Sequence, residues 1–152
     1  MNSTGYDPVH TIADGITAYA TAVNDHSVAE GGALAYRLLA REIRQLMRPG
    51  DTCRLALPSI IMTANVRVGC FVIVLQDRVL IVYKRGTFRK TPETIVIPIS
   101  TITDVYAEAG NTLATLGTQL LTIVGTPSAT IALPVHAHTA AAAAIRAAVI
   151  PG

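Results

Sequence analysis

The clearest structural signal in the chain is the segment Phe71-Val-Ile-Val-Leu-Gln-Asp-Arg-Val-Leu-Ile-Val-Tyr83. Two runs rich in valine and isoleucine flank the polar triplet Gln76-Asp77-Arg78, a pattern typical of two antiparallel strands joined by a short turn. Both runs are far shorter than the roughly 20 apolar residues that cross a bilayer. The segment therefore predicts a β-hairpin rather than a membrane-spanning helix.

The period-two pattern of this hairpin continues through most of the chain after Gly50. We predict seven short strands, the first of them crossing a bend at Pro58, and short strands joined by turns favour an antiparallel barrel or sandwich. Their predicted bounds are Thr52–Leu57 with a continuation over Ile60–Asn65, Gly69–Leu75, Val79–Lys84, Glu93–Ile99, Thr103–Ala109, Gln119–Val124 and Ala129–Leu133.

Helical spacing predicts an N-terminal arm over residues 1–48. The first helix begins at Asp7-Pro8 and ends at Asn24-Asp25, and a capping box of Ser27 and Glu30 begins the second. Pro49-Gly50 stops the second helix. The apolar face of the arm must be buried on its own barrel or against a second copy, which would make a homo-oligomer. That face comprises Ile12, Ile16, Tyr19, Leu39 and Ile43.

A third helix is predicted over His136–Ile150, which consists mostly of alanine, the best helix former. Ile145 and Val149 lie one turn apart and are expected to insert into the core, with Arg146 turned outward. The small alanines allow the helix to approach closely whatever it covers.

Seven antiparallel strands followed by one helix is the order of pleckstrin-homology (PH)-like domains, and several segments resemble bacterial YokE-like and GRAM-like members. Phe71–Tyr83 resembles their hairpin, with Gln76 where threonine is usual. Ile97–Val105 resembles a segment that these domains carry at the same place along the chain. Pro49-Gly50-Asp51 resembles their opening, with aspartate where glutamate is usual. Leu120–Ile123 and the strand after it resemble the last hairpin.

The resemblance covers about residues 49–150. It implies a mainly β fold with helices, in which a seven-stranded antiparallel PH-like barrel is capped by a C-terminal helix and preceded by the helical hairpin. The implied domains are the arm, residues 1–48, and the PH-like domain, residues 49–152. It implies a binding module rather than an enzyme.

Charge is distributed unevenly along the chain. Residues 1–40 carry a net −3, residues 41–90 a net +7 and residues 91–152 a net −2, which together give +2. A basic middle third attracts anionic partners, and it also serves to solubilise a chain that is 51% hydrophobic.

The sharpest polar feature is a basic loop expected between the third and fourth strands. Its candidate binding residues are Lys84, Arg85, Phe88, Arg89 and Lys90. Cations around an exposed aromatic ring suit an anionic membrane surface or nucleic acid. The alternative is a solvated hairpin tip.

A second basic motif lies on the second helix, where arginines recur at helical spacing. It comprises Arg37, Arg41, Arg44 and Arg48. Three interpretations are open: a solvated face, pairing with acids of the first helix or of a partner, or contact with nucleic-acid phosphates.

No motif for catalysis, a metal or a cofactor is present, and we predict none of these. The pair His136 and His138 points in different directions at a helix start, and Cys53 and Cys70 are expected to be buried free thiols. Met1–His10 lacks the pattern of a signal peptide. We therefore expect a cytoplasmic, non-enzymatic adaptor that binds a protein partner or itself. The alternatives are peripheral binding at the inner membrane face through residues 84–90 and, less favoured, nucleic-acid binding.

Overall fold

A computed structural model describes residues 6–63, 67–86, 88–109, 118–134 and 138–150. They form three α-helices, one short 3-10 helix (Ile99–Thr101) and seven strands. The helices are α1 (Val9–Ala22), α2 (Ser27–Leu46) and α3 (His138–Val149). The strands are β1 (Cys53–Met62), β2 (Arg67–Leu75), β3 (Arg78–Arg85), β4 (Thr91–Pro98), β5 (Asp104–Ala109), β6 (Thr118–Val124) and β7 (Ala129–Pro134).

The strands form one antiparallel sheet in the order β4-β3-β2-β1-β7-β6-β5. All seven strands and α3 contribute to a single core, so the sheet curves around it as an open barrel with β4 and β5 at its edges. The predicted fold class is confirmed: the chain is mainly β with helices, with two helices before the sheet and one after it.

Of two local predictions, one is confirmed and one is wrong. β1 runs through Pro58 as a single strand, because there it pairs with β2 alone and a strand with one free side tolerates the missing N–H. The capping box of Ser27 and Glu30 is absent: the Asp25 carboxylate accepts hydrogen bonds from both the N–H and the hydroxyl of Ser27. An aspartate side chain readily accepts the backbone N–H two residues after it, so Asp25 replaces the contact that the capping box would make. The predicted strand end at Asn65 and helix start at His136 lie outside the described residues.

The β2–β3 hairpin is buried on both faces because the sheet lies between two apolar layers. On β2, Val72 and Val74 point into the barrel, whereas Phe71 and Ile73 pack beneath the N-terminal helices. The arm therefore covers its own barrel, and the apolar face that we considered as a dimer contact is buried within the chain. Self-association stays a prediction, but the apolar face of the arm no longer supports it.

Gly15 explains how closely α1 lies on the sheet. The sequence suggests a weak point, since glycine costs a helix about 1 kcal/mol relative to alanine. In the structure a Cβ at this position would overlap Cys53 Sγ and approach the β1 backbone. The missing side chain lets α1 pack against β1.

The C-terminal helix enters the barrel core as predicted. Ala141, Ile145 and Val149 are buried there. Arg146 is half exposed but does more than face solvent, because its guanidinium donates hydrogen bonds to Asp104 and to the carbonyl oxygen of Val105. It ties α3 to β5.

A buried ion pair joins the α2–β1 connection to the turn of the hairpin. Both Arg78 Nη atoms donate to Asp51, at 3.2 and 2.9 Å, and Arg78 also donates to the Leu46 carbonyl at the end of α2. Gln76 Nε2 donates to Asp51 Oδ1 at 3.0 Å, while its Oε1 accepts the Thr52 N–H. The two departures from the resembled pattern, Asp51 and Gln76, thus contact each other.

This network predicts acid sensitivity. Burial alone would raise the pKa of Asp51, but hydrogen bonds from Arg78, the Arg48 N–H and Gln76 outweigh it and lower the pKa to about 2. Since the folded pKa is depressed, the stabilisation is complete above the unfolded value of about 4 and is lost as the pH falls toward about 2. We expect the free energy of unfolding to fall by about 2 kcal/mol through this group. Urea titrations across that range measure it. Asp51→Asn is the control, and an equal acid-induced loss in this variant would contradict the assignment.

Candidate ligand-binding surface

The two basic motifs of the sequence meet on one surface. Arg41 of α2, Lys84 of β3 and Lys90 of the following loop surround a polar depression of about 410 Å³. Its remaining lining residues are Glu42, Gln45 and Pro92. Three cations face one carboxylate there, so the depression suits an anion.

The loop between β3 and β4 presents its aromatic residue to solvent. Gly86 has φ +124°, a conformation that favours glycine, and a Cβ there would overlap the Arg89 carbonyl oxygen. The chain turns tightly at this point, and Phe88 is 100% exposed at the tip. Arg89 and Lys90 beside it are also exposed.

The other loop cations have acidic neighbours. Lys84 Nζ lies 3.9 Å from Glu42 Oε1, and Arg85 Nη1 lies 3.8 Å from Glu93 Oε2. These pairs partly neutralise the base of the loop. The positive charge directed to solvent is therefore concentrated on Arg41, Arg89 and Lys90.

The arginine motif of α2 divides between different surroundings. Arg37 and Arg41 are exposed on the helix, while Arg44 Nε lies 3.7 Å from Asp7 Oδ1 just before α1. One arginine of the motif therefore lies beside an acid that precedes α1, and the role of the motif in binding stays a prediction. Arg48 lies beyond the end of α2, where its backbone N–H donates to Asp51. Only Arg41 lines the polar depression.

An apolar groove of about 710 Å³ adjoins the polar depression, between α2 and the sheet. Leu34 and Leu38 form its helical wall and are 49% and 64% exposed. Leu39, Pro58 and Val68 line it further, and Lys84 and Lys90 also border it. Sequence reasoning missed this groove. The available signal was the spacing of Leu34 and Leu38, one turn apart and off the buried face of α2.

Catalytic and metal chemistry gain no support from the described residues. Within the described ranges no three His, Cys, Asp or Glu side chains converge on a metal position. Cys53 and Cys70 are buried and free as predicted, and burial raises the pKa of each thiol to about 12. Such thiols are poor nucleophiles at neutral pH. The pair of His136 and His138 falls outside the described side chains.

No helix within the described ranges combines the length and the apolar character that crossing a membrane requires.

Known proteins offer a likeness of fold only. No protein-family profile and no curated protein sequence matches the chain. A DUF1696 family protein with a pleckstrin-homology domain from Shewanella loihica is 17% identical, with a TM-score of 0.48 over 74% of this chain and 88% of that one. The C-terminal domain of an unknown protein from Leishmania infantum is 8% identical, with a TM-score of 0.49 over 74% and 95%. At these values neither structure indicates what this chain binds.

Proposed function

We propose that this chain is a non-enzymatic PH-like binding module, of the bacterial YokE-like or GRAM-like type, that associates peripherally with anionic membranes. The observation that carries the proposal is a surface that combines exposed apolar side chains with cations. Leu34 and Leu38 are exposed on the groove that Lys90 borders, Arg41 lines the adjoining depression, and Phe88 is exposed two residues before Lys90. We call this surface the cationic face.

Its chemistry matches an anionic lipid layer. Each cation near such a surface contributes about 1 kcal/mol, and an aromatic ring at the tip enters the headgroup region. Arg89 and Lys90 supply exposed charges next to Phe88 on the loop, and Arg41 adds a third from the adjoining depression. Exposed leucines gain free energy when they are buried in lipid, whereas the phosphate backbone of a nucleic acid offers them no apolar contact. This surface therefore favours a membrane over nucleic acid.

The predicted protein-adaptor role depended on an apolar face of the arm that would be available to a partner. The chain buries that face on its own sheet, with Ile12 and Ile43 at most 1% exposed. Among the described residues the three most exposed large apolar side chains, Leu34, Leu38 and Phe88, belong to the cationic face, whereas Val9, Val96 and Tyr106 are less exposed and line neither the groove nor the depression. The balance of observations therefore moves from a protein partner to a membrane surface.

Vesicle co-sedimentation tests the proposal. We expect the protein to pellet with phosphatidylserine-containing vesicles at low salt, less at physiological salt, and not with pure phosphatidylcholine. The double variant Arg89→Glu/Lys90→Glu is expected to bind more than about tenfold more weakly, since two favourable charges become repulsive. Phe88→Ala should weaken binding at both salt concentrations, because its contribution is apolar.

Arg48→Glu is the matched control, because it reverses an exposed charge that lines neither the groove nor the depression. It should weaken binding much less than the double loop reversal does. Absence of binding at low salt, or equal losses in the loop and control variants, would overturn the proposal.

A further inference from the structure

The apolar groove exists because one row of side chains on β2 ends at a glycine. On the helix-facing side of β2, Leu75, Ile73 and Phe71 are fully buried beneath the arm. The next position in this row is Gly69, which has no side chain. A Cβ built on Gly69 would have no atom within 4 Å. The row ends in open space between α2 and the sheet.

The strands also separate at this point. β2 pairs with β3 from Val74↔Val79 to Cys70↔Tyr83, and the register ends there. Gly69 and Val68 on one side and Lys84 on the other then border the groove. Its floor is apolar, and the Ser59 hydroxyl in it is already satisfied because it donates to the Ala132 carbonyl. The groove offers contact area but few polar partners along its length.

Among the described lining residues, the charged side chains of the groove lie where it meets the polar depression. Lys84 and Lys90 line both the groove and the polar depression, so they form the boundary between them. Arg41 and Gln45 lie on the far side of that boundary. An apolar slot that ends at a cluster of cations is complementary to a molecule with an apolar tail and an anionic head.

We propose that the groove binds one acyl chain of a single-chain anionic lipid, whose carboxylate or phosphate head lies between Arg41, Lys84 and Lys90. The volume of about 710 Å³ lies within the ordinary range for small-molecule sites. The inference deepens the proposed membrane function, on which it rests for the class of ligand, and names a site inside the cationic face.

An extended peptide fits this groove less well than an acyl chain. Its backbone N–H and C=O groups would lie against Leu34, Leu38 and Val68 without hydrogen-bond partners, which is costly. An acyl chain has no such groups. The ammonium group of Lys84 already has the Glu42 carboxylate 3.9 Å away, so a bound anion would share Lys84 and draw mainly on Arg41 and Lys90.

Titration calorimetry of the full chain with dodecanoate tests the site. We expect saturable binding at one site, no measurable binding of butanoate, which lacks the tail, and weaker binding of uncharged dodecyl maltoside below its micelle concentration. Gly69→Leu fills the open space at the groove floor and should weaken dodecanoate binding at least about tenfold, because several methylene contacts are lost. Lys90→Glu should weaken dodecanoate but leave dodecyl maltoside unchanged.

Ala13→Leu is the control, since it adds the same side chain on the exposed side of α1 and should change nothing. Circular dichroism and the urea midpoint show whether Gly69→Leu is folded. Failure of dodecanoate to bind, equal binding by Gly69→Leu, or binding of an acidic amphipathic peptide in its place would overturn the inference. Vesicle binding reports separately on the proposed function: Phe88→Ala should lose vesicles but keep dodecanoate, and Gly69→Leu should do the reverse.

Discussion

Replacing Asp51 by alanine is expected to lower the free energy of unfolding by about 3–5 kcal/mol, the usual cost of removing one partner from a buried ion pair. The Asp51 side chain is 4% exposed and accepts hydrogen bonds from both Nη atoms of Arg78. Its loss leaves the Arg78 guanidinium, itself buried, with the single carboxylate of Asp77 and the Leu46 carbonyl. The urea midpoint of the purified variant measures the effect.

Asp77→Ala provides the matched control. Asp77 lies 2.8 Å from the same guanidinium, but its side chain is 54% exposed. A solvent-exposed pair contributes about 1 kcal/mol or less, so this variant should remain close to the wild type. Combining Asp51→Leu with Arg78→Met should cost far less than Asp51→Ala, because no buried charge is left alone. Equal midpoints for Asp51→Ala and Asp77→Ala would contradict the role of the buried pair.

Ile145→Ala is expected to lower the free energy of unfolding by about 2–5 kcal/mol. Ile145 is fully buried where α3 meets the barrel core, and its neighbours on the inserted face are Ala141 and Val149. The small side chain of alanine leaves a cavity that rigid strands cannot close. Chemical denaturation at constant pH measures the loss.

Two neighbouring variants on α3 separate packing from hydrogen bonding. Ala147→Ser changes an exposed position and should stay within about 0.5 kcal/mol. Arg146→Ala should cost about 1 kcal/mol, since it removes hydrogen bonds to Asp104 and the Val105 carbonyl from a half-exposed guanidinium. A midpoint for Ile145→Ala as high as that of Ala147→Ser would show that α3 does not close the barrel.

Local patterns predicted most of the secondary structure because burial repeats with the period of each element. Alternation and turn residues placed the hairpin around Gln76-Asp77-Arg78, and the helical spacing of Ile12 and Ile16 placed α1. The sequence patterns did not predict details that depend on competition between neighbouring hydrogen-bonding groups. Asp25 displaced the predicted capping box by accepting the Ser27 N–H.

The amino-acid pattern alone established a mainly β chain with helices at both ends and two basic motifs without a known relation, while the closure of the core by α3 was implied by the resemblance to PH-like domains. It could not show that Arg41 and Lys90, almost fifty positions apart, border one depression, because periodicity records burial within an element and not the contacts between elements. Nor could it reveal that Gly69 leaves space under α2. An empty volume arises only when a helix and a sheet pack with one side chain missing between them, so the groove is a property of the tertiary structure.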